Sequence, residues 1–392
     1  MEWPTKKLCD VLDIQNGYAF DSKKFSSEDG MPLIRIRDIS NGLKTVTNYA
    51  GEYKSIYVVR KGDFLIGMDG EFRCYEWKGE DALLNQRVCR LQNFSDELSA
   101  RFLSYGINKY LQDIEDVTGF TTVKHISASQ IKNIEFPLPP IPEQQRIVAI
   151  LDQAFADIEK ARANAEKNLK NARELFDSYL NQVFSQRGEG WVEEVLGRVC
   201  DVRDGTHDSP KYVDEGIPFI TQKNIRTDGL SFEKTKFISE TDHMKFYKRS
   251  NVTHGDILIS MIGINRGMAC VVDDHRIFSI KNVGLIKKAL NINPLFLLFY
   301  LKSHTAKKYI ESESRGGAQP FIGLTKLRAF PVLLASPEEQ EEVVSKLTLI
   351  EARTENLVLI YETKLKSLDE LKKSLLQKAF SGELTKTEDM VA

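Results

Sequence analysis

The chain has 392 residues, of which 42% are hydrophobic and 28% are charged, and its formal net charge is −2. This composition is typical of a globular protein with two or three domains. No apolar run approaches the ~20 residues that a transmembrane helix needs, and the first residues lack the pattern of a signal peptide, so we expect a cytoplasmic protein without membrane association.

The charge is unevenly distributed along the chain. Residues 1–140 contain 18 basic and 20 acidic side chains, whereas residues 189–335 contain 21 basic and 17 acidic ones. Residues 336–392 contain 8 basic and 12 acidic side chains. The second of these segments is therefore the basic one, which is compatible with nucleic-acid binding without demonstrating it.

The first 136 residues predict a globular segment of mixed secondary structure. Short apolar runs at 33–36 and 64–66 are separated by turn residues, and we predict that they form strands. A helix is predicted over 95–115, starting at Ser95, because Leu98, Phe102, Tyr105 and Leu111 form a stripe with helical spacing.

A long helix is predicted to follow over residues 139–184. From residue 143 to residue 187 the sequence contains neither glycine nor proline. Apolar or small residues recur every three or four positions, which is the pattern of a heptad seam that packs against another helix. The seam residues are Ile147, Leu151, Ala154, Ile158, Ala161, Ala165, Ala172, Leu175 and Tyr179.

After Gly188-Glu189-Gly190, the sequence repeats its first part in the same order. The matching segments are 3–8 with 191–196, 31–34 with 217–220, 61–66 with 254–259, 102–105 with 296–300, 136–137 with 330–331, 142–145 with 337–340, and 175–185 with 371–381. A second helical seam accompanies the second copy. It comprises Val343, Leu347, Ile350, Leu357, Tyr361, Leu368, Leu371 and Leu375.

This repeat predicts an α+β fold with internal pseudo-two-fold symmetry. Two related mixed α/β globular domains occupy residues 1–138 and 188–335, two spacer helices occupy 139–187 and 336–384, and a tail occupies 385–392. Because each seam needs a partner, we expect the two long helices to pack against each other as an antiparallel coiled coil.

Motifs for catalysis are lacking in the sequence. There is no phosphate-binding glycine loop, no nucleophile elbow and no histidine cluster with metal-ligand spacing, and the five scattered cysteines suggest neither a disulfide framework nor a metal site. One alternative is a remote one: Asp63, Glu76 and Lys78 have the spacing of a metal-dependent nuclease core, in which two carboxylates hold Mg²⁺. Such spacings are frequent in a charged sequence, and the second copy retains only Asp256.

Polar loops of the two globular segments have the chemistry of a DNA-reading surface. Arginine pairs with guanine and amide side chains pair with adenine in the major groove, while lysines mostly contact phosphates. The candidate DNA-binding residues are Arg73, Tyr75, Lys78, Asn85, Gln86, Arg87, Lys124, His125, His207, Lys211, Tyr212, Lys223, Asn224, Arg226, Asn265, Arg266 and Gln319. Each loop could equally be a solvated turn, and Tyr75 could belong to the core.

Several motifs in duplicated order together resemble the specificity (S) subunit of Type I restriction–modification enzymes. They are Trp-x4-Leu near the start of each globular segment, Gly-Asp-Phe/Ile-Leu-Ile in a strand, and Phe-Pro before each long helix. The clearest is Pro-Glu-Gln-Gln-Arg-Ile at 142–147, from which the second copy, at 337–341, departs.

This resemblance implies a non-catalytic, cytoplasmic prokaryotic subunit with two target recognition domains. Each would read one half of a bipartite, asymmetric site on double-stranded DNA, and the helix pair would set the gap. Two methyltransferase subunits would dock on the helices, and restriction/translocase subunits would dock through them. The cofactor S-adenosylmethionine would be bound by the methyltransferase partners. Two alternatives to this function remain: an accessory recognition protein of similar build that acts with a fused or different partner, and a coiled-coil scaffold that binds proteins rather than DNA.

Overall fold

The computed structural model describes residues 3–40, 44–119, 124–315 and 320–386. The chain divides into two compact units. Unit 1 comprises the described residues up to Asn164 together with those from Lys364 onward, and unit 2 comprises Ala165–Thr363. Each unit therefore contains one globular segment and a part of each long helix. The described residues include no helix with the combination of length and hydropathy that a membrane span requires.

The described residues in the globular part of unit 1 form short strands, three α-helices and several short 3-10 turns. The strands are β1 (Thr5–Lys7), β2 (Asp13–Asn16), β3 (Phe25–Ser26), β4 (Met31–Ile34), β5 (Asn48–Tyr49), β6 (Val58–Val59), β7 (Phe64–Gly67), β8 (Cys74–Glu76), β9 (Ala82–Leu84), β10 (Val88–Gln92) and β11 (Glu135–Pro137). The helices are α1 (Ile36–Ile39), α2 (Ala100–Val117) and α3 (Ala128–Lys132). The first long helix, α4, follows as Ile141–Gln186.

Unit 2 has a similar series of elements. Its strands are β12 (Val192–Val195), β13 (Val202–Asp204), β14 (Ile217–Ile220), β15 (Ile225–Arg226), β16 (Gly229–Leu230), β17 (Lys236–Ile238), β18 (Ile257–Ser260), β19 (Ala269–Val271), β20 (Ser279–Ile280), β21 (Val283–Ile286) and β22 (Pro331–Leu334). Its helices are α5 (Leu196–Val199), α6 (Glu240–Ser250), α7 (Pro294–Lys302), α8 (His304–Glu313) and α9 (Leu324–Arg328), and the second long helix, α10, spans Pro337–Phe380.

The sheets confirm the internal repeat. In unit 1 the strand order is β2-β10-β7-β8, and in unit 2 it is β13-β21-β18-β19; all pairs are antiparallel. A two-stranded sheet, β1-β11 or β12-β22, joins the start of each globular segment to its end. The turn before β7 and its counterpart before β18 contain Gly62 and Gly255 at φ of 95° and 86°, a conformation that favours glycine. The predicted fold class is thus observed in both units.

The two long helices pair in an antiparallel direction within each unit. In unit 1, Arg162 forms an ion pair with Asp369, and Glu159 lies 3.4 Å from Lys372. In unit 2, Arg173 lies 2.8 Å from Glu362. The buried side chains of α4 include Leu151, Ile158, Ala165 and Ala172, which recur at seven-residue spacing and form the predicted heptad seam.

The seam prediction was wrong for Leu175 and for its counterpart Leu371. These side chains are 50% and 47% exposed. After Ala172 the buried positions of α4 proceed in steps of four residues, through the half-buried Phe176 to the buried Leu180 and Phe184. A straight helix has 3.6 residues per turn, so a strict seven-residue pattern drifts away from the contact line unless a four-residue step corrects it.

Two predicted boundaries in unit 1 were also wrong. Helix α2 begins at Ala100 rather than near Ser95, because the Ser99 hydroxyl caps it by accepting from the backbone NH of Phe102. The predicted strand over 33–36 ends at Ile34, since the Asp38 carboxylate accepts from the Arg35 NH at 3.0 Å and turns the chain into α1.

The register of the repeat at the start of the long helices also differs from the prediction. When the sequence repeat is aligned on Pro142 and Pro337, Gln145 matches Gln340. In the structure, the counterpart of Gln340 is Gln144. Gln144 accepts from the Ser99 NH and donates to the carbonyls of Glu97 and Pro139, all at 2.8 Å. Gln340 makes the same three bonds, accepting from the Asn293 NH at 2.7 Å and donating to the carbonyls of Asn291 and Ala335 at 3.0 and 2.9 Å.

Candidate nucleic-acid interface

Unit 2 contains a basic cleft of about 520 Å³. Five of its side chains are cationic and one is acidic. Aromatic and amide groups complete the wall, which is the mixture expected of a surface that contacts phosphates and bases. The lining residues are Tyr212, Phe219, Thr221, Gln222, Lys223, Asn224, Arg226, Glu233, Lys234, Lys236, Ile262, Lys281 and Asn282.

Four predicted DNA-binding residues, Tyr212, Lys223, Asn224 and Arg226, lie together in this cleft. The Lys236 ammonium lies 4.2 Å from the centre of the Tyr212 ring, and Arg226 lies 3.0 Å from Glu233. The Tyr212, Lys223 and Arg226 side chains line the cleft in positions from which they can contact a ligand.

Asn224 is different, because its amide is already fully used inside unit 2. The oxygen accepts from the Thr221 NH at 2.9 Å, and the nitrogen donates to the Ser231 carbonyl and the Thr235 hydroxyl at 3.0 and 3.1 Å. Asn224 is buried and shapes the loop at the cleft wall.

Lys234, Lys236, Lys281 and Asn282 also line the cleft but were not predicted from the sequence. Asn282 is identified through the internal repeat, because equivalent hydrogen bonds align the two copies. The Gly17 NH donates to the Val88 carbonyl in unit 1, and the Gly205 NH donates to the Val283 carbonyl in unit 2. Asn282, which precedes Val283, is therefore the counterpart of Arg87. Lys234 and Lys236 follow no motif that distinguishes them from other surface lysines.

His207 lies beside the cleft rather than in its lining. Its Nδ1 is 2.7 Å from the Asn282 Oδ1, and its Nε2 is 3.1 Å from an oxygen of Asp204. Asp204 is buried, and its other oxygen accepts from Arg249 at 2.8 and 2.6 Å.

Four other predicted residues of the second copy lie elsewhere. Asn265 and Arg266 line a second cavity of unit 2, of about 840 Å³, which is bordered by parts of α4 and α10. Arg266 donates to the Ser314 hydroxyl at 3.0 Å. Lys211 is exposed and is not part of the cleft lining. Gln319 lies outside the described residues.

In unit 1, Arg87 and His125 lie together around Asp69. One Asp69 oxygen is 2.6 Å from the His125 Nδ1, and the other is 3.5 Å from the Arg87 Nε. Gln86 is exposed beside Arg87. The Lys124 ammonium donates to the Glu115 carbonyl at 2.8 Å, so it is already engaged at the end of α2.

Tyr75 lies in the edge strand β8, and Arg73 directly precedes that strand. Both side chains contact other parts of unit 1. Arg73 forms a 3.0 Å ion pair with Glu115 on α2. Tyr75 is half-buried, and burial raises its pKa. Asn108 of α2 accepts from the Cys74 NH at 2.7 Å, which satisfies backbone at the sheet edge. Helix α2 thus holds Arg73 and the backbone of β8 in place.

Two further predicted residues differ sharply in exposure. Lys78 is exposed after β8. Asn85 is only 7% exposed, and its buried Oδ1 has no hydrogen-bond partner among the described residues. Asn85 therefore contributes to the loop before Arg87 from within unit 1 rather than from its surface.

The carboxylates of the nuclease alternative are paired with arginines. Asp63 lies 2.9 Å from the Arg90 guanidinium, and Glu76 lies 2.7 Å from that of Arg101. Each carboxylate thus has a separate cationic partner, which is the geometry of two structural ion pairs. The described residues contain no group of three or more metal-ligating side chains.

Comparison with known proteins identifies the family. The model of the Type I restriction modification DNA specificity domain matches residues 1–167 and again residues 188–375. The chain belongs to this family. Because the domain occurs twice, the internal repeat corresponds to two copies of the specificity domain, and the predicted resemblance to Type I specificity subunits is confirmed.

Individual relatives agree with this assignment. The specificity subunit of the Type I restriction enzyme EcoBI from Escherichia coli is 29% identical over 411 residues, which cover 98% of this chain and 86% of the relative. The MjaVIII specificity subunit from Methanocaldococcus jannaschii is 23% identical, with 83% and 80% covered. The crystal structure of the HsdS subunit from Thermoanaerobacter tengcongensis has the same fold, with a TM-score of 0.66 at 19% identity and 97% of each chain covered.

Proposed function

We propose that each globular segment of this Type I specificity subunit reads one half of a bipartite, asymmetric site in the major groove of double-stranded DNA. The observation that carries the proposal is the duplication of the DNA specificity domain. Two related but non-identical reading surfaces suit two different half-sites. The side chains differ between the copies: Arg87 in unit 1 corresponds to Asn282 in unit 2, and these residue types favour different bases.

The basic cleft supports DNA as the ligand. Five cations and one carboxylate give it a strongly positive lining. Lysines and arginines in such a surface neutralise phosphates and release counterions, so binding to DNA weakens steeply as salt rises. We assign Lys223, Arg226, Lys234, Lys236 and Lys281 to contacts with the DNA backbone.

The long helices would set the gap between the half-sites and dock two methyltransferase subunits, with restriction/translocase subunits held through them. Exposed apolar side chains on these helices offer area that a docking partner would bury. In unit 2 these are Leu175, Leu349, Leu359 and Ile360.

The chemistry would belong to the methyltransferase partners. They would bind S-adenosylmethionine and receive the target adenine flipped out of the duplex. The contribution of this chain is then to determine which adenines are presented, without a catalytic residue or a cofactor of its own. The paired states of Asp63 and Glu76 give no support to the nuclease alternative.

A binding measurement tests this function against the scaffold alternative. The chain, assembled with its methyltransferase subunits, is titrated with duplex DNA that carries its site and with scrambled duplex, over a range of salt concentrations. We expect binding to prefer the site by at least 10³-fold, as is typical of specific complexes, with a log–log salt slope of several units. Equal, weak binding of both duplexes would favour the protein scaffold.

A further inference from the structure

We propose that Asn282 is a base-reading side chain of unit 2 and that Asp204 and His207 are positioning residues that hold its amide. This inference rests on the proposed reading of DNA by unit 2. It assigns a particular contact to one edge of the cleft: the amide of Asn282 donates to an acceptor on a base in the major groove.

The backbone places Asn282 at the end of a tight turn. Its φ is 53°, in the left-handed region that asparagine adopts more readily than most residues. The Asn282 NH donates to the Thr206 carbonyl at 3.1 Å, and strand β21 starts at the next residue. The side chain then lines the cleft beside Lys281, whose ammonium donates to the Ser209 hydroxyl at 2.7 Å.

A chain of polar contacts fixes the orientation of the amide. The Asn282 Oδ1 faces the Nδ1 of His207 at 2.7 Å, and the Nε2 of the same ring faces Asp204 at 3.1 Å. A carboxylate oxygen and an amide oxygen both only accept, so the ring donates from both nitrogens, from Nδ1 to Asn282 and from Nε2 to Asp204, as only an imidazolium can. Arg249 holds the Asp204 carboxylate from the other side. With both ring nitrogens engaged, the imidazole cannot rotate without breaking two hydrogen bonds.

This orientation leaves the amide nitrogen of Asn282 available. With Oδ1 turned towards His207, Nδ2 is directed away from the ring, and it has no hydrogen-bond partner among the described residues. Acceptors in the major groove are N7 and O6 of guanine, N7 of adenine and O4 of thymine. A fixed donor at this point discriminates between bases, whereas the lysines around it contact phosphates of any sequence.

Unit 1 contains a similar arrangement of residues at the corresponding turn. Arg87 occupies the corresponding position before β10, also in the left-handed region, with φ of 72°. It too is accompanied by a carboxylate and a histidine: Asp69 lies 3.5 Å from its Nε, and the His125 Nδ1 lies 3.4 Å from its guanidinium. Both units thus combine a left-handed residue at the same turn with an aspartate–histidine pair.

The test measures base selection by randomised-duplex binding, with variants of the full chain assembled with its methyltransferase subunits. Asn282→Gly keeps the left-handed backbone and removes the amide. We expect it to reduce selectivity roughly 5- to 100-fold at a single base pair of one half-site, and to leave the other half-site unchanged. Asn282→Asp keeps the shape of the side chain and replaces the donor by an acceptor. Selection at that base pair should therefore shift towards a base that presents an amino group in the major groove.

The positioning role is tested with a pair of variants at His207. His207→Phe keeps a ring but no donor, and we expect it to reduce selectivity at the same base pair as Asn282→Gly, with no further loss in the double variant. His207→Gln retains a donor and should restore a large part of the selectivity. The control is His254→Phe, at an exposed histidine of unit 2 that does not line the cleft.

Each outcome has a defined meaning. If Asn282→Gly leaves all base preferences intact, or if His207→Phe weakens binding evenly at every base pair, the inference is wrong while the proposed function stands. If the unaltered complex selects no sequence at all, the proposed function itself has failed.

Discussion

Gln144 and Gln340 are buried where each long helix begins, and each side chain bonds to three backbone groups in two separate segments of the chain. Their amides satisfy one NH and two carbonyls that would otherwise be left without partners in the interior. A buried polar group without a hydrogen bond costs about 1–3 kcal/mol, so these residues fix both the start of the helix and its attachment to the globular segment.

Replacement of these glutamines tests the structural register of the repeat. We expect Gln144→Leu to lower the free energy of unfolding of unit 1 by about 3 kcal/mol, since three backbone groups lose their partner. Gln340→Leu should have a similar effect on unit 2. Denaturant unfolding followed by hydrogen exchange in each unit measures both changes.

The matched control is Gln145→Leu, the adjacent exposed residue that the sequence alignment had paired with Gln340. Its effect should remain within about 0.5 kcal/mol, as for most surface substitutions. A large effect at Gln145 and a small one at Gln144 would contradict the register seen in the structure.

For the roles of individual residues, the sequence was a limited guide to the candidate site. It indicated the loops that contain Tyr212, Lys223 and Arg226, because polar loops between strands are recognisable. It could not reveal that Asn224 uses its whole amide internally, or that Arg73 pairs with Glu115 on α2. Such roles depend on which distant residue packs alongside, and spacing along the chain does not report that.

The long helices illustrate what periodicity determines and where it fails. The heptad pattern correctly predicted their existence, their pairing and seam positions such as Ile158 and Ala165, both of which are buried. It failed at Leu175, where the buried positions advance by four residues instead of three. A local shift of this kind depends on the partner surface, which the pattern of a single helix does not contain.

Alanine substitutions on α4 distinguish the two sides of the helix. Leu180→Ala removes a buried side chain, 1% exposed, and should lower the free energy of unfolding of unit 2 by about 2–5 kcal/mol. Leu175→Ala, at a half-exposed position, should cost less than about 1 kcal/mol. Thermal and denaturant unfolding of the full chain measures the difference. Equal losses at both positions would mean that Leu175 faces the seam after all.

For the whole molecule, the internal repeat was the most informative feature of the sequence. Matched segments fixed the duplicated fold, because the same order of motifs implies the same order of strands, as observed for β2-β10-β7-β8 and β13-β21-β18-β19. The two copies nevertheless have different polar residues at the corresponding turn, Arg87 and Asn282. A common framework with different polar residues at this turn is what the proposed reading of a split, asymmetric DNA site would require.

The central claim, that each globular segment reads its own half-site, is tested most directly by mapping methylated adenines in genomic DNA. The segment 1–136 is replaced by the corresponding segment of another specificity subunit, and the chimera is expressed with the methyltransferase subunits. We predict that one half of the methylated site changes, while the other half and the gap between them stay the same. A change in both halves, or a methylated site that does not change at all, would contradict the claim.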